Sequence, residues 1–519
     1  MRILKTLAPA ICLLLSACMV GPDYQDPKTQ VMNHWGDKSP SVRQTPFKNV
    51  LWWQSFHDPV LTKLIELGYQ NNLSLQSAGV RVLEARAVLA QSVGELYPQQ
   101  QAAVGDYTYN RLGNTSLQGL LPSSFKTASL GFAINWELDF WGKYRRAIRS
   151  NDAAFLASVA AYDNALVTLT ADIAKAYISL RMDEAQIRTI KANIQVQATG
   201  LRIARARFEA GQTSLLDVEQ AQTEYAQTEA SLPPVVADVQ RQKDALAVLL
   251  GTTPDKLQPL LKTNTGIPKA PKTIGVGIPK EILARRPDIY QARMQAVQQS
   301  ESIGAIKANL FPALSLAGSF TFTSNNIGSN HISDIFEWSS RSITAGPSFN
   351  WPLLNYGQIT NAVRAQDSAF QQSLLNYMNL VLKAQQEVQD NITGFIEANK
   401  TVRSLKNANY SAIQELKLAL IRYKEGETDF TPVLNAEQQQ LSVQTSLINA
   451  EGNVPNTLVG LYRALGGGWE IRGDNDVVSD STKQEMAART NWGTLLKTKN
   501  HMPPKTKAQQ RNQLYLPKW

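Results

Sequence analysis

Cysteine is almost absent: the 519 residues hold two, Cys12 and Cys18, both within the first 18 positions. A disulfide framework is thereby excluded, even for an oxidising compartment. Histidine is equally scarce. His34, His57, His331 and His501 lie far apart, in no spacing that would hold zinc. The eight methionines do not cluster, so nothing marks a soft-metal path. Gly142-Lys143-Tyr144 lacks the second glycine and the Ser/Thr of a phosphate loop, and no nucleophile motif appears. An enzyme is therefore not expected, nor any cofactor. Beyond residue 18 no run of 18 uninterrupted apolar residues occurs, which excludes a hydropathy-defined spanning helix. If the chain crosses a membrane, it must do so as a closed β-barrel, because hydrocarbon cannot satisfy loose backbone groups. The charge of +9 is a mild surplus concentrated in the tail from Lys497 to Lys518, and no nucleic-acid partner is expected.

What is present begins with a processing signal. Met1-Arg2-Ile3-Leu4-Lys5 is basic, Leu7 to Leu15 is apolar but short, and Leu15-Ser16-Ala17-Cys18 follows. That tetrapeptide resembles the bacterial lipobox, which implies a lipid on Cys18 as the first residue of the processed chain. An ordinary signal peptide with a chance cysteine is the alternative. Loss of Arg2 and Lys5 would take the formal charge from +9 to +7. Met19, rather than an aspartate, follows Cys18, which by resemblance favours the outer over the inner membrane.

The chain repeats itself. Asn135-Trp136 recurs as Asn350-Trp351, Ala154-Phe155 as Ala369-Phe370, and Arg207-Phe208 with Gly211 as Arg422-Tyr423 with Gly426, all at a shift of 215. Leu96-Tyr97-Pro98 matches Leu310-Phe311-Pro312 at 214. A unit this long is a duplication, not a solenoid. Each copy reads as a helix ending at the proline, two strands, a very long helix, a glycine turn and a returning helix.

Period-two alternation marks the strands. Leu130, Phe132, Ile134, Trp136, Leu138 and Phe140 alternate with small or polar residues, as do Leu314, Leu316, Gly318, Phe320 and Phe322. One apolar and one small, polar face suits a water-filled transmembrane barrel, with Trp136 and Trp351 at the membrane interface. A soluble, half-buried sheet is the competing reading. Four strands cannot close a barrel with a lumen, since single-chain barrels start at about eight, so this reading demands several copies. No glycine or proline falls between Lys143 and Thr199. Leu166, Leu169, Ile173, Leu180, Ile187, Ile190, Ile194 and Leu201 trace one stripe at coiled-coil steps. A helix from 143 to 208 would be about 100 Å long at 1.5 Å per residue. A dimeric coiled coil anchored by lipid is the structural alternative, and it leaves the strands unexplained.

The lipobox, the duplicated unit, the paired Asn-Trp strand ends, the paired Arg-(Phe/Tyr)-x-x-Gly turns, Arg285-Arg286-Pro287-Asp288-Ile289 and Ala464-Leu465-Gly466-Gly467-Gly468-Trp469 resemble the TolC-like outer membrane factors. Within them, the lipoprotein branch serving resistance-nodulation-division efflux pumps is the nearer likeness. The resemblance implies an α+β fold: a homotrimer with a 12-stranded transmembrane β-barrel, a periplasmic α-helical barrel and a small equatorial domain. It implies passive conduction of drugs or other small molecules from an inner-membrane transporter and a periplasmic adaptor, with heavy-metal efflux the alternative cargo.

The expected organisation is a signal peptide at 1–17 and an anchored N-terminal and equatorial segment at 18–70. The first unit spans 71–256, with strands near 101–112 and 127–140 and helices near 142–208 and 214–250. A linker follows at 257–286. The second unit spans 287–466, with strands near 313–324 and 341–354 and helices near 357–424 and 430–465. An equatorial segment and polar tail end the chain at 467–519, loosely ordered beyond about 497. By resemblance the turns at Arg207, Gly211, Arg422 and Gly426 meet the adaptor, and Asp217 pairs with Tyr423 to close the mouth. Thr428 stands where a basic residue is usual, and Asn435 replaces the aspartate of a Leu-Asp-Ala motif. Asp429 lies near enough to compensate in part, and Thr431 completes the candidate gate. A ring of neutral Asn435 would select less between ions than carboxylates would.

Overall fold

The computed structural model describes residues 19–36, 39–43, 51–113, 122–262 and 266–497. Asp58 opens α1 (Pro59–Asn71) by accepting from the amides of Val60 at 2.9 Å and Leu61 at 3.1 Å, donors that a first helical turn leaves without partners. Asn72 does the same for α2 (Leu73–Gly94). The chain then forms β1 (Gln100–Arg111) and β2 (Ser124–Leu138), runs out along α3 (Lys143–Glu209) and returns as α4 (Leu215–Ala230) and α5 (Leu232–Leu249). The linker carries α6 (Pro254–Leu261) and α7 (Pro279–Arg285). Its Ile274–Gly275 pairs in parallel with Val42–Arg43 of the N-terminal segment. The second unit repeats the order as α8 (Pro287–Lys307), β3 (Ala313–Asn325), β4 (Arg341–Asn350), α9 (Gln358–Glu425) and α10 (Thr431–Ala464), followed by α11 (Asp480–Arg489). The fold is α+β and duplicated.

The four long strands form one antiparallel sheet in the order β1-β2-β3-β4. Register fixes its two faces. Phe132 stands opposite Phe320, Leu130 opposite Phe322 and Ile343 opposite Phe320. On the other face Ser129 meets Thr323, Gly131 meets Thr321, and Ser342 and Thr344 meet Thr321 and Ser319. The apolar side is bare: Phe132 is 68% exposed, Ile343 67% and Phe349 72%. A soluble sheet would bury such a face, so the exposure favours hydrocarbon as its solvent. On the polar side Thr108 and Thr127 share a 2.5 Å hydrogen bond, and Ser129 donates to Asp106.

Below the sheet the duplication persists down to single hydrogen bonds. Trp136 Nε1 donates to the Leu96 carbonyl at 3.2 Å, and Trp351 Nε1 to the Leu310 carbonyl at 3.1 Å. Trp141 stacks on Phe311 at 4.7 Å and donates to the Pro312 carbonyl. At 1.5 Å per residue the 67 residues of α3 extend about 100 Å. Leu166, Ile173 and Leu180 of its stripe are fully buried, packed against α2, α5, α8 and α10. One stretch of α3 is long and apolar enough to cross a membrane by length and composition, but 67% of it is buried inside the protein. The equatorial core centres on Trp52, stacked on Tyr462 at 5.3 Å, with Tyr177 donating to Asp58 at 3.0 Å.

Three element boundaries depart from expectation. The returning helix of the first unit is two helices, divided at Ser231. Pro233 and Pro234 have no N–H to bond back to the preceding turn, and their rings crowd its carbonyls. β2 stops at Leu138, and Phe140 turns away to pack edge-on against Trp141 at 4.7 Å. β4 ends at Asn350, which leaves Trp351 just outside it. Residues 1–18 and 498–519, with Cys18 and the expected loose tail, lie outside the described residues.

Candidate functional site

The end of the molecule opposite the sheet is made by the two helix-to-helix turns. Gly211 has φ +69° and Gly426 φ +83°, a left-handed conformation that suits glycine at a helix C-terminus. The closing bonds match across the duplication. Gly211 N donates to the Phe208 carbonyl and Gln212 N to the Arg207 carbonyl; Gly426 N donates to the Tyr423 carbonyl and Glu427 N to the Arg422 carbonyl.

The side chains do not match. Phe208 is 42% exposed, whereas its counterpart Tyr423 is completely buried. Tyr423 packs edge-on against Phe430 at 5.2 Å. The Arg207 guanidinium lies over the Tyr423 ring at 4.6 Å and also donates to its carbonyl. One side chain of the first turn thus grips the second unit through both a cation–π contact and a charge-assisted hydrogen bond. Leu201, Ala204, Val218 and Ala221 from the first unit and Leu416, Val433 and Ala436 from the second complete a small core behind this contact.

Asp217, at the start of α4, is also buried. It accepts a hydrogen bond from Thr213. Burial pushes the Tyr423 phenol up to about 12, and the nearby Asp217 charge adds to the rise, while Arg207 opposes it. Asp217 is therefore close enough to act on the hydroxyl both as a charge and as a hydrogen-bond partner.

The remaining candidates divide. Thr431 N donates to Asp429 Oδ1 at 3.2 Å and Thr428 Oγ1 to the Asp429 carbonyl at 3.1 Å, so Asp429 helps cap α10. Thr431 and Asn435 are exposed on α10. Arg422 pairs with Glu427 at 3.2 Å on the surface. Trp136 and Trp351 sit at the other end, at the junction of sheet and helices.

Sequence reasoning missed a second polar site about two to three turns behind the tip. Glu224 of α4 and Glu437 of α10 are buried, as is Gln197 of α3. Glu224 receives Gln197 Nε2 at 3.4 Å and Gln438 Nε2 at 2.9 Å. Burial, then the Glu224 charge, pushes the Glu437 carboxyl up to about 8. The available signal was spacing: Glu437 follows Val433 by four residues, and Glu224 falls between Ala221 and Thr228, so both glutamates occupy helix faces that point inward. Among the described residues there is no group of three or more His, Cys, Asp or Glu arranged to hold a metal.

The family model described as outer membrane efflux protein matches residues 64–252 and 278–467, two segments that follow the two units. The chain is 27% identical over 470 residues to nodulation protein T of Rhizobium leguminosarum bv. trifolii, spanning 90% of this chain and 98% of that protein. It is 28% identical over 470 residues to the toluene efflux pump outer membrane protein TtgC of Pseudomonas putida, spanning 88% and 94%. The solved outer-membrane channel OprN superposes with a TM-score of 0.80 at 29% identity, covering 87% of this chain and all of that one.

Proposed function

Because the chain belongs to the outer membrane efflux protein family, we propose that three copies close one twelve-stranded barrel and serve as the exit duct of a tripartite pump. The protein is an outer-membrane channel of an efflux system, and the family and fold are those of channels. The observation that carries the assembly is the sheet itself. It has four strands, an apolar face open to its surroundings and two free edges, β1 and β4. Free edges cannot persist in hydrocarbon, and β4 of one copy against β1 of the next removes them all when the ring closes. The helices then continue the wall into the periplasm. An inner-membrane transporter of the resistance-nodulation-division type supplies the energy, and a periplasmic adaptor meets the turns at Gly211 and Gly426. Conduction through the duct is passive.

Cys18 is the lipid attachment point in this reading. The residues that follow it are pinned where the sheet meets the helices. Val20 N donates to the Trp141 carbonyl at 3.1 Å, and Asp23 pairs with Arg146. A lipid on the preceding residue would enter the membrane at the level of the Trp136, Trp141 and Trp351 girdle.

The mouth closes where the two units meet. Arg207 on Tyr423, with Asp217 beside it, holds the α3–α4 hairpin against the α9–α10 hairpin, and opening separates them. The test is single-channel recording of the purified protein in planar bilayers. Asp217→Ala combined with Tyr423→Phe should raise conductance clearly above wild type, and an unchanged conductance overturns the gate reading.

A further inference from the structure

We propose that Glu224 and Glu437 form a proton-sensitive contact across the seam between the two helix hairpins, so that the tip is packed while Glu437 keeps its proton beside Glu224 and loosens when Glu437 ionises. The proposal rests on the gate reading above and adds a control to it.

Geometry places the pair on the surface that must part. Glu224 belongs to the first unit's hairpin and Glu437 to the second's, and they are 5% and 1% exposed. Gly200 makes the room. A Cβ built there would stand 3.3 Å from Glu437 Oε1, so the carboxyl sits in a notch that α3 leaves by having no side chain at that point.

Hydrogen-bond accounting then calls for a proton. The two amide donors at the seam, Gln197 Nε2 and Gln438 Nε2, both go to Glu224. What remains are acceptors: Glu437 Oε1 and, one turn away on α3, Gln197 Oε1 have no partner. Buried acceptors without donors are costly. A proton on Glu437 supplies the missing donor and removes one of two like charges.

Among the described residues no cation offsets that charge at Glu437. From α3 come Gln197 and Gly200, both neutral, and Arg207 further along, occupied by Tyr423. From α4 comes Glu224. From α9 come Leu416 and Tyr423, the latter a phenol that stays neutral below about 12. From α10 come Glu437 itself and the neutral Gln438. Burial and the Glu224 charge thus hold the Glu437 carboxyl up at about 8 in the packed tip.

The sign follows from linkage. In a parted, hydrated tip Glu437 regains its ordinary value of 4.5. Below that pH both forms hold the proton and pH has no effect. Between 4.5 and about 8 only the packed form keeps it, so packing weakens steadily as pH rises. Above that range both forms are ionised, and the effect levels off.

Open probability of the full-length, lipidated protein in planar bilayers should therefore rise by roughly tenfold or more between pH 5 and pH 8. Glu437→Gln, which keeps the shape without the ionisation, should be flat over that range and remain closed at pH 8. Glu224→Gln, by removing the neighbouring charge, should lower the Glu437 midpoint, so that the rise is smaller and its plateau is reached at lower pH. It also serves as the second variant should Glu437→Gln fail to give heat-dissociable trimers on gels. A Glu437→Gln profile that rises as wild type does, or a Glu224→Gln plateau at unchanged pH, overturns the proposal. Asp217→Ala with Tyr423→Phe, recorded alongside, separates the two ideas. If that double variant conducts more but Glu437→Gln titrates like wild type, only the proton contact falls; if the double variant is unchanged, the gate reading falls.

Discussion

Arg207 shows how one side chain can join two halves of a duplicated chain. Its guanidinium meets the Tyr423 ring and carbonyl together, and its counterpart Arg422 instead pairs with Glu427 on the surface. The stack alone contributes about 0.5–2 kcal/mol, enough to shift a two-state tip severalfold. Arg207→Ala should raise the open probability in bilayers, while Arg422→Ala should leave it near wild type; equal effects would place neither residue at the seam. Residue-scale chemistry was only partly legible beforehand. The divergence of Asp217, Phe208 and Gln220 from Pro432, Tyr423 and Asn435 at a fixed shift pointed to the turns. Arg207, however, matches Arg422 in both copies, and nothing in the pattern distinguishes the one that grips from the one that does not. Glu224 and Glu437 read as ordinary helical glutamates until the packing turned them inward.

At the scale of elements, periodicity carries most of the fold. The strands are legible because a sheet with lipid on one side and water on the other must alternate, and Leu130, Phe132 and Ile134 do so without a break. The long helices are legible because glycine and proline are missing from the first third of each. What escaped is local. The pairing of Val42–Arg43 with Ile274–Gly275 involves two residues on each side, too few to leave a period. The division of the first returning helix at Ser231 depends on Pro233-Pro234, whereas the second returning helix has Pro432 in its first turn and carries Pro455 inside a continuous helix. The exposed face of β2 gives a direct prediction. Phe132 lies near the middle of its strand, 68% exposed, and an arginine facing mid-bilayer costs about 2–4 kcal/mol. Phe132→Arg should reduce heat-dissociable trimers on gels, whereas Ser129→Arg on the opposite face should leave assembly intact and lower conductance. The reverse pattern would put water on the apolar face.

The whole molecule joins a membrane sheet that is incomplete alone to helices too long for any compact domain. The proposed lipid on Cys18 would add a separate attachment. Cys18→Ala should abolish incorporation of labelled palmitate while leaving trimers that still conduct after purification, since the barrel rather than the lipid crosses the membrane; label retained at another residue would relocate the anchor. The central claim is that this chain is a passive, gated duct built by several copies. Single-channel recording of the purified assembly tests it most directly. Discrete conductance steps should appear without any energy source, small in the wild type and clearly larger for Asp217→Ala with Tyr423→Phe. Assemblies that insert into the bilayer yet pass no current in either form would contradict it.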